Sequence, residues 1–169
     1  MTGTMRGPDQ VEVNVAILTS AFQIRGKMPV LGTFLTFIND DQKPTLTITN
    51  AVVLGVHATN PAAQMSQPEM LILKRAIQVL ALESAPPSGI VLSPRSESLM
   101  LYTEQYAIMG RWHMSPDTRI QDFIESSAAQ FLPVSSARIY ALFQARQGII
   151  PASQLAFVHR STAQSYHKA

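Results

Sequence analysis

The sequence predicts a mainly β protein built as two tandem small barrels, each of about five strands plus one short helical turn. Three observations predict it. The two halves of the chain align collinearly, apolar and polar residues alternate over short runs, and a glycine interrupts the second such run at the same place in each half. A chain of 169 residues suffices for one ordinary domain or two small ones. Hydrophobic residues make up 46% and charged residues 14%, well below the usual charged share of about 25%, so the chain has much to bury and little charge to keep it solvated as a coil.

The internal repeat organises everything else. Residues 15–30 (VAILTSAFQIRGKMPV) lie over residues 99–114 (LMLYTEQYAIMGRWHM), matching Thr19 with Thr103, Phe22 with Tyr106, Ile24 with Ile108, Gly26 with Gly110 and Lys27 with Arg111. After two extra residues near Ser115 and Pro116, Phe34, Phe37 and Ile38 meet Ile120, Phe123 and Ile124. Leu46, Ile48, Ala51 and Val53 then meet Leu132, Val134, Ala137 and Ile139. A last block sets Met70, Ile72, Leu73 and Arg75 on Leu155, Phe157, Val158 and Arg160. The join falls within residues 83–98, around the turn-forming Ala85-Pro86-Pro87-Ser88-Gly89, and divides the chain into a first unit, 1–84, and a second, 85–169. Ile90–Leu92 reads as an extra edge strand or a docked linker.

Within a unit, Val11, Val13, Val15 and Ile17 alternate with Glu12, Asn14 and Ala16, the period of a half-buried strand. Phe22 and Ile24 carry a second strand after a Thr19-Ser20-Ala21 turn, and Gly26 and Gly110 mark a bulge or bend within it. Phe34, Phe37 and Ile38, like Ile120, Phe123 and Ile124, show the i, i+3, i+4 spacing of one helical face. In the first copy the Thr and Phe content equally allows a strand. In the second, Ser115-Pro116-Asp117 offers a cap and a first-turn proline. Residues 45–57 and 132–143 read as strands, with Asn50 an irregularity and Pro133 at a strand start or edge. Residues 58–67, with Asn60-Pro61, and 144–153 are turns. The last block reads as strand, tight polar turn and strand in both halves, the turns being Lys74-Arg75-Ala76 and His159-Arg160-Ser161.

Strongly bent strands ending in strand, short turn and strand resemble the Sm-like small β-barrel. The run from Gly110 to Ile124 (GRWHMSPDTRIQDFI), followed by Phe131-Leu132-Pro133-Val134, is similar to bacterial families of uncharacterised proteins. Sm proteins grip RNA through an acidic–Met–Asn signature and a late Arg–Gly turn. Here the late turns carry the Arg without the Gly, and the acidic–Met–Asn signature is absent.

The net charge of +2 is too small to imply nucleic acid or anionic lipid by itself. With no Cys, disulfides, thiolate metal sites and a Cys nucleophile are excluded. His57, His113, His159 and His167 lack local metal-ligand spacing, and neither a Gly-rich phosphate loop nor a nucleophile elbow is present. The expectation is a non-enzyme without metal or cofactor. The start of the chain lacks the apolar run of a secretory signal, and no stretch reaches the roughly 18 apolar residues of a membrane span, so a cytoplasmic protein is expected. The residues with interaction chemistry are the basic pairs Lys74-Arg75 and His159-Arg160, the repeated cations Lys27 and Arg111, and the single Trp112. The expected function is an assembly or adaptor module acting by self-association, as a homo-oligomer, or by binding a protein partner. The alternative is a weak binder of RNA or other single-stranded nucleic acid through the basic turns.

Overall fold

A computed structural model describes residues 10–60 and 64–169 of the chain. The first half forms strands β1 (Gln10–Leu18) and β2 (Phe22–Leu31), helix α1 (Phe34–Ile38), β3 (Thr45–Gly55), β4 (Met65–Leu73), a 3-10 turn over Lys74–Ala76, and β5 (Val79–Leu82). The second half repeats the series with β6 (Ser96–Tyr102), β7 (Tyr106–His113), α2 (Ile120–Ser126), β8 (Phe131–Ala141), β9 (Ala152–His159), a 3-10 turn over Arg160–Thr162, and β10 (Ser165–Lys168). The stretch before Gln10, and Pro61 of the predicted Asn60-Pro61 turn, lie outside the described residues. Among the described residues no helix is long and apolar enough to cross a membrane.

The protein is mainly β, but the expectation of two closed Sm-like barrels is wrong. All the strands join one continuous open sheet in the order β10-β6-β7-β8-β9-β5-β1-β2-β3-β4. Among the described residues no ladder closes either five-strand run on itself, and none joins β4 to β10. A barrel closes only when the two edges of one run meet. Here β5, buried at every residue, pairs with β1 on one side and needs an apolar strand on the other. Strand β9 of the other half supplies it, with Val79 opposite Val158, Leu80 opposite Phe157 and Ala81 opposite Ala156.

The two runs nonetheless pair internally in the same way, as β4-β3-β2-β1-β5 and β9-β8-β7-β6-β10. Register shifts lie between Arg25 and Lys27 where β2 meets β3, and between Met109 and Arg111 where β7 meets β8. Each is centred on a glycine that its neighbours require. A Cβ on Gly26 would stand 2.5 Å from Ile48 Cγ2, and one on Gly110 would stand 2.5 Å from Val134 Cγ2. Opposite them, Asn50 and Ser136 adopt left-handed backbone at φ 50° and 49°, a conformation that short polar side chains tolerate best after glycine.

Two sequence expectations shift in detail, and one segment with two readings takes the helical one. The helix of the second half starts at Ile120 with Arg119 at its cap, while Ser115 to Thr118 form a separate turn closed by the Thr118 N–H on the Ser115 carbonyl at 3.1 Å. The corresponding segment of the first half is helical, not extended. The last block of the repeat is one residue out: Thr45 pairs with Leu73 and Phe131 with His159, so Leu73 corresponds to His159 and Lys74 to Arg160. Met70–Leu73 is apolar throughout and carries no alternation, and only alternation registers a strand.

Two apolar cores lie against the sheet, and each crosses the boundary between halves. The first joins Val15, Ile17, Ile48 and α1 residues Phe34 and Ile38 to Phe131, Leu155 and Phe157. The second joins Leu101, Ile108, Trp112 and α2 residues Phe123 and Ile124 to Leu18, Val79 and Ala81. Ile90 and Leu92 follow no strand and dock on the first core as linker.

Candidate functional site

Where β9 joins β5, the surface opens into a groove of about 500 Å³ lined by Leu73, Lys74 and Arg75 at the end of β4, by Asp41, Lys43 and Pro44 after α1, and by Gln130 and His159 from the second half. It gathers three of the predicted site residues, Lys74, Arg75 and His159, and adds Lys43, which carried no sequence signal beyond its charge.

Their chemistry differs residue by residue. Lys74 is 3% exposed, and its ammonium donates to the Asp40 carbonyl at 2.7 Å, tying the 3-10 turn to the chain just beyond α1. Burial lowers its pKa, and nearby Asp40 opposes that shift. Arg160, its counterpart, donates to the Glu125 carbonyl at 3.2 Å and ties the second turn to α2. Arg160 thus satisfies a carbonyl in the last turn of α2, which the helix leaves free, while Lys74 secures the loop after α1, so both cations have a structural task. His159 is half-buried, and its Nδ1 accepts the Ser161 N–H at 3.3 Å and lies 2.6 Å from the Ser161 hydroxyl. Burial, then Arg160 and Lys74, hold its pKa below the ordinary imidazole value. Its ring stands edge-on to Phe131 at 4.9 Å. Arg75 is exposed on the groove rim.

The other predicted residues lie elsewhere. Exposed Lys27 faces Glu12 at 3.7 Å across β1 and β2. Exposed Arg111 donates to the Ser96 hydroxyl at 3.2 Å. Trp112 is fully buried in the second core and donates its indole N–H to the Leu99 carbonyl at 3.1 Å, so it is no surface platform for a base or a partner. Among the described residues, no group of three or more His, Asp or Glu is placed to hold a metal ion.

Sequence reasoning missed the polar residues that hold the halves together. Gln23 is 2% exposed; its amide donates to the Gly148 carbonyl at 3.0 Å and accepts the Ile150 N–H at 2.7 Å. The side-chain amide oxygen of buried Gln78 accepts the Thr103 hydroxyl at 2.6 Å. The Asn39 side chain accepts the Phe131 N–H at 2.9 Å. A glutamine amid apolar strand residues was the visible signal, but it does not say where its partners lie.

No family model matches the chain. No curated protein and no solved structure matches it either. The resemblance to Sm-like barrels and to bacterial families sharing the Phe-Leu-Pro strand therefore has no support from homology, and the open sheet contradicts its architecture.

The second feature of the surface is the pair of sheet ends. Strand β4 at one end exposes Met65, Leu71 and Leu73, Leu71 at 63%. Strand β10 at the other end carries Ser165, Tyr166, His167 and Lys168, and only Tyr166 is partly buried.

Proposed function

We propose that the protein is a non-catalytic assembly module whose two sheet ends are its docking elements. The observation that carries this reading is the β5–β9 joint, where one five-strand run extends another by edge pairing, while among the described residues β4 and β10 each pair on one side alone. An unpaired edge is a template for another strand, and proteins that do not use it cover or blunt it. Exposed Leu71 and Leu73 add apolar surface beside that edge. A cysteine-free composition supports a cytoplasmic setting, which needs no disulfides. Light scattering on the purified chain at micromolar concentration tests the reading: a mass that is a multiple of the monomer is expected, and a monomer overturns it.

A second reading, weak binding of single-stranded nucleic acid, draws on the groove, where Lys43 and Arg75 share a rim with Lys74 and His159. Asp41 on the same rim opposes it, and Lys74 is already engaged by a backbone carbonyl. Titration with single-stranded RNA at two salt concentrations decides: phosphate contacts make affinity fall steeply with salt, and binding that is absent or insensitive to salt removes this reading.

A further inference from the structure

Resting on the assembly reading, we infer that the docking partner is a second copy of the same chain, added head to tail, with β10 of one copy pairing antiparallel to β4 of the next in the register of the internal β5–β9 joint. The internal joint supplies the template. Strand β10 stands to β6 as β5 stands to β1: Ser165 faces Tyr102 where Val79 faces Leu18, and Lys168 faces Leu99 where Leu82 faces Val15. Strand β4 stands to β3 as β9 stands to β8, since Thr45 faces Leu73 where Phe131 faces His159. Carrying the pairs Val79–Val158, Leu80–Phe157 and Ala81–Ala156 onto the two ends sets Ser165 opposite Ile72, Tyr166 opposite Leu71 and His167 opposite Met70. One step beyond those pairs, the same register would set Lys168 opposite Glu69, the positions that correspond to Leu82 and Leu155, both buried in the first core.

Four properties of the ends fit this register. Strand β10 is four residues long, and the five residues Glu69 to Leu73, between Pro68, which has no N–H to donate, and the 3-10 turn at Lys74, leave room for it. Leu71 is 63% exposed, while its counterpart Phe157 is fully buried in the first core. Tyr166 already packs partly on the second core, so Leu71 of the next copy would extend that core. Exposed Lys168 and Glu69 carry opposite charges where the internal joint is apolar, so the end joint is soluble when open and selective for its own partner. The counterpart of Asn39, which accepts the Phe131 N–H across the internal joint, is Glu125, and the counterpart of Phe131 is Thr45. The Glu125 carboxylate would therefore accept the Thr45 N–H of the next copy. Because the two ends differ, copies add in one direction and either close a ring or extend.

The cysteine-free chain makes the test direct. Leu71→Cys and Tyr166→Cys, made as separate proteins and mixed under oxidising conditions, are expected to form a mixed disulfide dimer. Each alone should stay uncrosslinked, as should Leu71→Cys mixed with Lys168→Cys. Lys168→Glu or Glu69→Lys should each weaken self-association about tenfold, as for other charge pairs at interfaces, and the two reversals combined should restore it. These positions are exposed or half-exposed, and circular dichroism confirms that each variant folds. Self-association that persists with no mixed disulfide, or that ignores the charge reversals, overturns the register and leaves the assembly reading standing. A monomer overturns both.

Discussion

His159 sits at the meeting point of the two halves, and its proton couples to the fold. The ring Nδ1 is an acceptor in the native state, which the protonated ring cannot be. Burial and the neighbouring cations Arg160 and Lys74 lower its pKa, so the unfolded chain binds a proton more readily than the folded one. By linkage, stability is complete above the ordinary imidazole value of about 6.5 and falls as pH drops through it, levelling off below the folded value. Urea midpoints at pH 7.5 and pH 5 should show this loss, and His159→Gln should lose less than the parent over the same interval. An equal loss in both would contradict the role given to His159. That a histidine occupies the turn is plain from the sequence. That its ring is half-buried against Phe131 and its acceptor occupied depends on residues brought from β8 and from its own turn. The same holds for Trp112: the sequence favours a core position and leaves a surface platform open, and the fold makes it an anchor of the second core.

At the scale of elements, the bulged strands β2 and β7 repeat one design in two sequences. Both place a glycine where the neighbouring strand leaves no room for a Cβ, and a left-handed residue follows on that neighbour. The Cβ of Gly110→Ala would stand 2.8 Å from the Ser135 carbonyl oxygen as well as against Val134. A backbone atom cannot move aside as a flexible side chain can, so the change should cost about 1–3 kcal/mol, as overpacking does. Chemical denaturation measures it, and Gly89→Ala is the contrast: its φ of +90° strains the substitution, but among the described residues nothing stands within 4 Å. A loss at Gly110 smaller than at Gly89 would remove steric crowding as the reason for the glycine. The alternation of Val13, Val15 and Ile17, the i, i+3, i+4 spacing of Ile120, Phe123 and Ile124, and the paired glycines were all readable, because each is a local rule with a local period. The boundary of α2 and the register of β4 were not. A turn at Ser115 mimics a helix start, and an all-apolar run has no face to read.

For the molecule as a whole, the decisive feature is that neither half owns its core. The first core takes Phe131, Leu155 and Phe157 from the second half, and the second takes Leu18, Val79 and Ala81 from the first. A protein of residues 1–84 alone would expose one side of β5, whose residues are all buried in the intact chain. It is expected to be unfolded or aggregated, whereas the full chain should melt in one cooperative transition. A soluble first half with native-like circular dichroism would show that the joint is dispensable.

The sequence by itself determined the β class, the collinear repeat, the two bulge glycines and the strand–turn–strand ending of each half, since these follow from periodicity and backbone sterics within a few residues. Only the tertiary structure decided that the strands run on as one open sheet, that β5 takes β9 as its neighbour, and which cations are spent on backbone carbonyls. Those outcomes turn on which edge a strand meets. An edge offers the same N–H and C=O groups to every strand, so the choice is made by apolar surface and geometry assembled from residues far apart in the chain.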